Sequence, residues 1–283
     1  MDSVRGKGGW RSQKLSAGDS GGHGKQGALD VDEICKESRP CARGRMPPVA
    51  GPCTGLARRF RLPRDIDPTI IQDIRYATSN NFAGRWPAGY GAAECVVKRK
   101  VGIHLKAVQR ELARQNLSLK MLDCYRPARA VADMVAWAHN GKETAAEHRY
   151  NPSFSKADLF RLGYIATHSG HSTGAAVDLT LVDLKAGNSA GFDPQKEYAD
   201  CTAPATARAP EGSVDMGTGY DCFDVKAHTA ASSITPAQRR WRNLLVAAMA
   251  RQGFVNYARE WWHFSLPGGG VGAYDFPISP RRQ

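Results

Sequence analysis

The sequence predicts an α+β domain over residues 62–283, a small central antiparallel sheet flanked by helices, behind a disordered basic, Gly-rich tail over residues 1–61. Three observations carry this. Apolar residues at helical spacing alternate with short strand-like segments in no strict βαβ order. The 283 residues are 42% hydrophobic, enough to bury a core. Residues 1–60 carry no apolar period of either kind, so they cannot offset the entropy of ordering.

Within the tail, Gly-Lys-Gly-Gly at 6–9 and Gly-Asp-Ser-Gly-Gly-His-Gly at 18–24 are the extreme cases. No apolar core follows its basic residues, so it does not read as a secretory signal. It reads as a flexible tail, or as a stretch upstream of an internal start such as Met46. Residues 1–64 hold 13 Lys/Arg against 6 Asp/Glu, a net of +7, whereas the rest hold 26 against 21. The basic excess therefore argues only weakly for nucleic acid, and an anionic cell envelope would suit it equally. The longest apolar run, Leu244 to Ala250, is far short of the ~20 residues that span a bilayer. No specific nucleic-acid partner and no membrane span are expected, and the oligomeric state is not readable.

The elements follow in order. Val101, Leu105, Val108 and Leu112 lie at helical spacing, with Lys106, Arg110 and Arg114 between them, and predict an amphipathic helix over 100–115. Leu117–Cys124 alternates as a strand does, and Ala-rich Arg129–His139 reads as a helix. Ala175–Val182 reads as a strand with Val177, Leu179 and Leu181 on one face and Ala176, Asp178 and Thr180 on the other. Residues 185–220 form a Gly/Ala/Pro-rich insertion. Thr235 as N-cap and Pro236 at the first helical position start a helix that Gly253 stops. Aromatic-rich Phe254–Leu266 reads as a strand pair or a bent strand.

Seven cysteines form no CxxC pair, which disfavours a thiolate zinc ribbon. Cys95 with Cys124, and Cys201 with Cys222, are plausible bridges. If formed, they imply an oxidising compartment, periplasmic or secreted; free buried thiols in a cytoplasmic enzyme are the alternative, in keeping with the lack of a visible signal.

Asp178 sits in an apolar strand between Val177 and Leu179, where a carboxylate is costly unless it is paired or holds a metal. His171 lies seven residues earlier, across a Ser-Thr-Gly turn, and His263 follows the bulky Trp261 and Trp262. Two His and one carboxylate, with the fourth position left to water, is a catalytic zinc set. Glu260, near such a site, could take a proton from water and deliver it to a leaving amine. Arg126 offers a fixed cation for an oxyanion.

Together, Ser169-Gly-His171-Ser-Thr-Gly174-Ala-Ala176-Val-Asp178, Glu260-Trp-Trp262-His263 and Tyr125-Arg126-Pro127 resemble the D-alanyl-D-alanine dipeptidase family of zinc peptidases. The similarity covers roughly 62–280. It includes Asn81-Phe82-Ala-Gly84, Gly89-Tyr90 and Asp215-Met-Gly-Thr218-Gly-Tyr-Asp221. The resemblance implies one Zn²⁺ held by His171, Asp178 and His263, Glu260 as base and Arg126 on the transition state. It further implies contacts from Tyr76, Tyr164, Ser169 and Asp221 to a small dipeptide substrate. Asp221 and the Ser169 hydroxyl suit a free ammonium, so N-blocked peptides are expected to be poor substrates. The implied activity is hydrolysis of D-alanyl-D-alanine and similar D,D-dipeptides, in cell-wall peptide metabolism or turnover. The alternatives are a zinc D,D-carboxypeptidase acting on longer stem peptides, a non-catalytic zinc-binding module as in Hedgehog domains, and nucleic-acid binding through residues 1–64. The segment between Asp178 and Asp221 is longer than in the compact cytosolic members, and it carries Cys201.

Overall fold

The computed structural model describes residues 59–280 apart from 143, 188–190 and 271. The tail expected over 1–61 lies outside the described residues as far as residue 58. Its last residues belong to the fold: β1 (Phe60–Arg61) pairs antiparallel with β3 (Val97–Lys98), and Phe60 is buried against Tyr125, Tyr274 and Phe276.

The main sheet has the order β2-β4-β5-β7-β6, formed by β2 (Ile71–Gln72), β4 (Leu117–Asp123), β5 (Ala176–Asp183), β6 (Val255–Asn256) and β7 (His263–Ser265). Its pairings from β4 to β6 are antiparallel, as expected. The edge pair β2·β4 is parallel, so the sheet is mixed. The cause is a crossover: α2 (Arg99–Ala113) intervenes between β2 and β4, and such a helix returns the chain in the same direction. Val101, Leu105, Val108 and Leu112 of α2 are all fully buried, as their spacing requires.

Four more helices surround the sheet: α1 (Pro63–Ile66), α3 (Ala128–Ala138), α4 (Ala145–Tyr150) and α5 (Pro236–Arg251). Thr235 caps α5 in a reciprocal box with Gln238, and Gly253 at φ +81° follows its end. The short α4 has the same device in Thr144 and Glu147, and lies in a segment to which the sequence reading gave no element. No helix among the described residues is long and apolar enough to cross a membrane.

β4 is buried along its whole length, on both faces. Its polar face therefore needs partners rather than water. Ser118 and Gln109 hydrogen-bond each other, and Lys120 pairs with Asp73 at 2.9 Å and donates to the Glu211 carbonyl. The patternless 185–220 insertion helps to cover this face, with the Val214 N–H donating to the Leu181 carbonyl at 2.9 Å. Arg242 of α5, fully buried, donates to the carbonyls of Met216, His228 and Lys226 and so fixes the segment that carries Tyr220 and Asp221. Both expected disulfides are formed, Cys95–Cys124 with Cα atoms 5.2 Å apart and Cys201–Cys222 with 5.5 Å.

Candidate active site

Strand register assembles the centre of the site. Asp123 of β4 lies opposite Asp178 of β5, and Asp178 lies opposite His263 of β7. Directly paired residues share a sheet face, so the three side chains stand in a row. His171 arrives from a 3₁₀ turn, Gly170–Thr173, capped by the Ser169 hydroxyl, which accepts from the His171 N–H at 3.2 Å. Gly174 then turns the chain toward β5 at φ +71°, where a Cβ would stand 2.3 Å from the Phe60 ring. Only glycine meets both demands.

Three atoms converge. His263 Nδ1 is 2.9 Å from Asp178 Oδ1, His171 Nε2 is 3.2 Å from the same oxygen, and the two imidazole nitrogens are 3.1 Å apart. Ligands about 2.0–2.2 Å from a tetrahedral zinc stand roughly 3.4 Å apart, so this triangle fits such an ion with small adjustment. Each ligand is also held from behind. His171 Nδ1 donates to the Cys124 carbonyl at 2.7 Å, His263 Nε2 faces Ser265 Oγ at 3.4 Å, and the Tyr220 phenol donates to Asp178 Oδ2 at 2.9 Å. Metal-binding imidazoles and carboxylates characteristically have such partners.

The electrostatics match a cation site. Burial opposes ionisation of Asp178, but the charge and hydrogen bond of His171 and the bond from His263 outweigh it and hold the carboxyl well below its ordinary range. Of the two facing imidazoles, His263 is pushed down by burial; burial works against His171 as well, but Asp178 pulls it up. A cation between them would take the place of a shared proton.

Glu260 is half-buried, with Oε2 3.8 Å from His263 Nδ1. Burial, then the charges of Asp178 and Asp221, push its carboxyl well above the ordinary value. A divalent cation in the triangle would counter those charges. Arg126 donates to Asp123 Oδ2 through Nε at 2.9 Å, stands 3.8 Å from Asp178 Oδ2, and lies 4.8 Å over the Tyr76 ring. The Tyr76 phenol donates to Asp221 Oδ2 at 2.6 Å, and burial with the nearby Asp178 pushes Asp221 up to about 7. The Tyr164 hydroxyl meets His228 Nε2 at 3.2 Å. All nine residues singled out in the sequence line one cavity of about 310 Å³.

Three groups here lie in stretches singled out in the sequence, Asp123 at the head of Asp123-Cys124-Tyr125-Arg126-Pro127, but were given no role. Asp123, fully buried, grips Arg126 and accepts from the Tyr90 phenol at 2.6 Å. Its signal was available, since it is a carboxylate ending an apolar strand, as Asp178 is within one. Tyr90 and Tyr220 lay in stretches of the resemblance, but nothing around them set their hydroxyls apart from those of core aromatics.

A sequence profile described as D-ala-D-ala dipeptidase matches residues 62–212 and 199–279. The chain belongs to that family of metallopeptidases. It is 33% identical over 197 residues to a D-alanyl-D-alanine dipeptidase of Streptomyces coelicolor, covering 70% of this chain and 86% of that protein. D-alanyl-D-alanine dipeptidases of Enterococcus faecalis and Escherichia coli are each 30% identical. Those matches cover 69% and 71% of this chain, and 84% and 81% of the relatives. Membership of this family makes the protein a peptidase, and its cavity the place to look for the chemistry.

Proposed function

We propose that the protein hydrolyses D-alanyl-D-alanine and similar small D,D-dipeptides with zinc held by His171, Asp178 and His263. The observation that carries this is the 2.9–3.2 Å triangle of donor atoms with the half-buried Glu260 carboxylate beside it. When bound, zinc supplies Lewis acidity and brings the pKa of water toward 7. Glu260 Oε2 takes the proton of the attacking water, whose oxygen adds to the scissile carbonyl carbon. The Arg126 guanidinium, immobilised by Asp123, faces the negative charge that grows on the carbonyl oxygen. As the C–N bond breaks, Glu260 returns the proton to the leaving nitrogen, so two D-alanine molecules result and the carboxylate is restored.

The Asp221 carboxylate, with Tyr76 and Ser169, receives the substrate ammonium; Tyr164 forms part of the surrounding wall. A buried carboxylate that needs a cationic partner rejects acylated substrates, which supports a dipeptidase over a D,D-carboxypeptidase acting on longer stem peptides. The presence of Glu260 and Arg126 in the same cavity supports an enzyme over a binding module. The two disulfides support a periplasmic or secreted location, where wall peptides are turned over.

The test is D-alanine release by purified, zinc-loaded protein from D-Ala-D-Ala and from an N-acylated D-Ala-D-Ala peptide. Rapid release from the first and little from the second is expected. No release from the first overturns the reading, and preference for the second replaces it with the carboxypeptidase.

A further inference from the structure

The Cys201–Cys222 bridge stands beside the substrate end of the cavity. Asp221 directly precedes Cys222 and holds φ +56°, in the left-handed region that few non-glycine residues occupy. Its neighbours Tyr220 and Cys222 are both fully buried, so the turn between them has a fixed place in the core. Cys201, the other end of the bridge, is itself anchored. Its N–H donates to the Arg149 carbonyl at 2.7 Å and its carbonyl accepts from Gly219 N–H at 2.8 Å. The Phe223 N–H donates to the Tyr150 carbonyl at 2.7 Å. The bridge thus joins the turn bearing Asp221 to the insertion and, through it, to the end of α4.

We propose that the Cys201–Cys222 disulfide is a positioning device for Asp221, holding its carboxylate against the Tyr76 phenol and toward the cavity, and thereby setting the preference for a free substrate ammonium. The inference rests on the dipeptidase reading. The physical step is short. A single residue in the left-handed region is retained only where its surroundings over-determine it. The disulfide fixes the Cα of Cys222, one residue away, to Cys201 at 5.5 Å. Arg242 and the buried Tyr220 and Phe223 hold the two ends of the segment, so cutting the bridge frees only the Asp221–Cys222 link to relax, and the carboxylate then leaves the Tyr76 phenol. Ammonium binding weakens, while the three proposed ligands and Glu260 are carried by other segments, and Tyr220, fully buried and bonded to Asp178, keeps its place at the near end of the turn.

The experiment compares full-length zinc-loaded protein with Cys201→Ser/Cys222→Ser and with the better-packed Cys201→Ala/Cys222→Val. Steady-state kinetics are measured on D-Ala-D-Ala and on N-acetyl-D-Ala-D-Ala. The expected result is KM for the free dipeptide raised about tenfold with kcat and zinc content nearly unchanged, which is the sign of lost ground-state binding. The ratio of kcat/KM between free and acetylated substrates falls by a similar factor. Asp221→Asn costs less in the bridge-free protein than in the wild type, because the two changes act through one interaction. An unchanged ratio, or additive losses, overturns the proposal. Failure of both bridge-free variants to fold also overturns it, since the bridge would then serve folding and not position. A wild type inert on D-Ala-D-Ala sinks the underlying reading instead.

Discussion

The Tyr220 phenol donates to Asp178 Oδ2 at 2.9 Å, leaving Oδ1 to face both His171 and His263. The carboxylate is thus turned by a residue outside the triangle of donor atoms. Tyr220→Phe keeps the buried ring and removes only the donor. Partners of this kind are worth about 10–100-fold in metal affinity or activity. Competition with a chromophoric chelator is expected to show zinc affinity lowered within that range. Unchanged affinity would mean that the sheet alone orients Asp178.

Glu260→Gln keeps the volume of the side chain and removes the proton acceptor. Zinc content is expected to stay at the wild-type level, while kcat falls by about 10²–10⁴, the usual worth of a positioned base. His171→Ala is expected to lose the metal as well as turnover. Metal analysis alongside kinetics separates the two, and a fully active Glu260→Gln protein would end the base assignment.

Arg126, half-buried, pairs with Asp123, which is fully inaccessible. Arg126→Met therefore has two expected effects. Loss of the cation facing the oxyanion lowers kcat by about 10²–10³. Leaving the Asp123 charge unpaired lowers stability by about 3–5 kcal/mol. Adding Asp123→Asn is expected to restore stability in urea unfolding without restoring kcat; recovery of both would show that Arg126 acts only on the fold.

An acid-dependent loss of stability is expected from Asp73. Burial opposes its ionisation, but Arg75 and Lys120 outweigh burial and hold its carboxyl below the ordinary 3.8. A depressed carboxyl stabilises the fold above its unfolded-state pKa, and that contribution is lost as pH falls through the folded value. Asp73→Asn is therefore expected to be less stable than wild type at pH 7, and the gap to narrow below about pH 3.8. Urea midpoints at pH 7 and pH 3 measure it; a gap that widens in acid would contradict the assignment.

The three converging side chains could be picked out in the sequence, Asp178 because it broke a local rule and the two imidazoles by the segments around them. Asp178 is a carboxylate in an apolar strand, and His171 and His263 flank a Gly turn and a Trp pair. Packing settled what local rules could not. β2 is two residues long, too short for any period, and its parallel pairing follows from the crossover through α2. The alternation of β4 suggested one wet face, yet Lys120 is buried and reaches the Glu211 carbonyl of an insertion with no pattern of its own, and Ser118 is buried against Gln109 and Thr69. Tyr90 and Tyr220 act through hydroxyls whose partners lie 33 and 42 residues away. No window along the chain contains that relationship.

The central claim is that two imidazoles and one carboxylate hold a zinc ion on which D,D-dipeptide hydrolysis depends. Metal analysis and D-Ala-D-Ala turnover should be measured on one preparation, before chelation, after it, and after stepwise return of zinc. The account predicts activity that disappears with the metal and returns in proportion, reaching its plateau at one zinc per chain. Full turnover in the metal-stripped protein would contradict it.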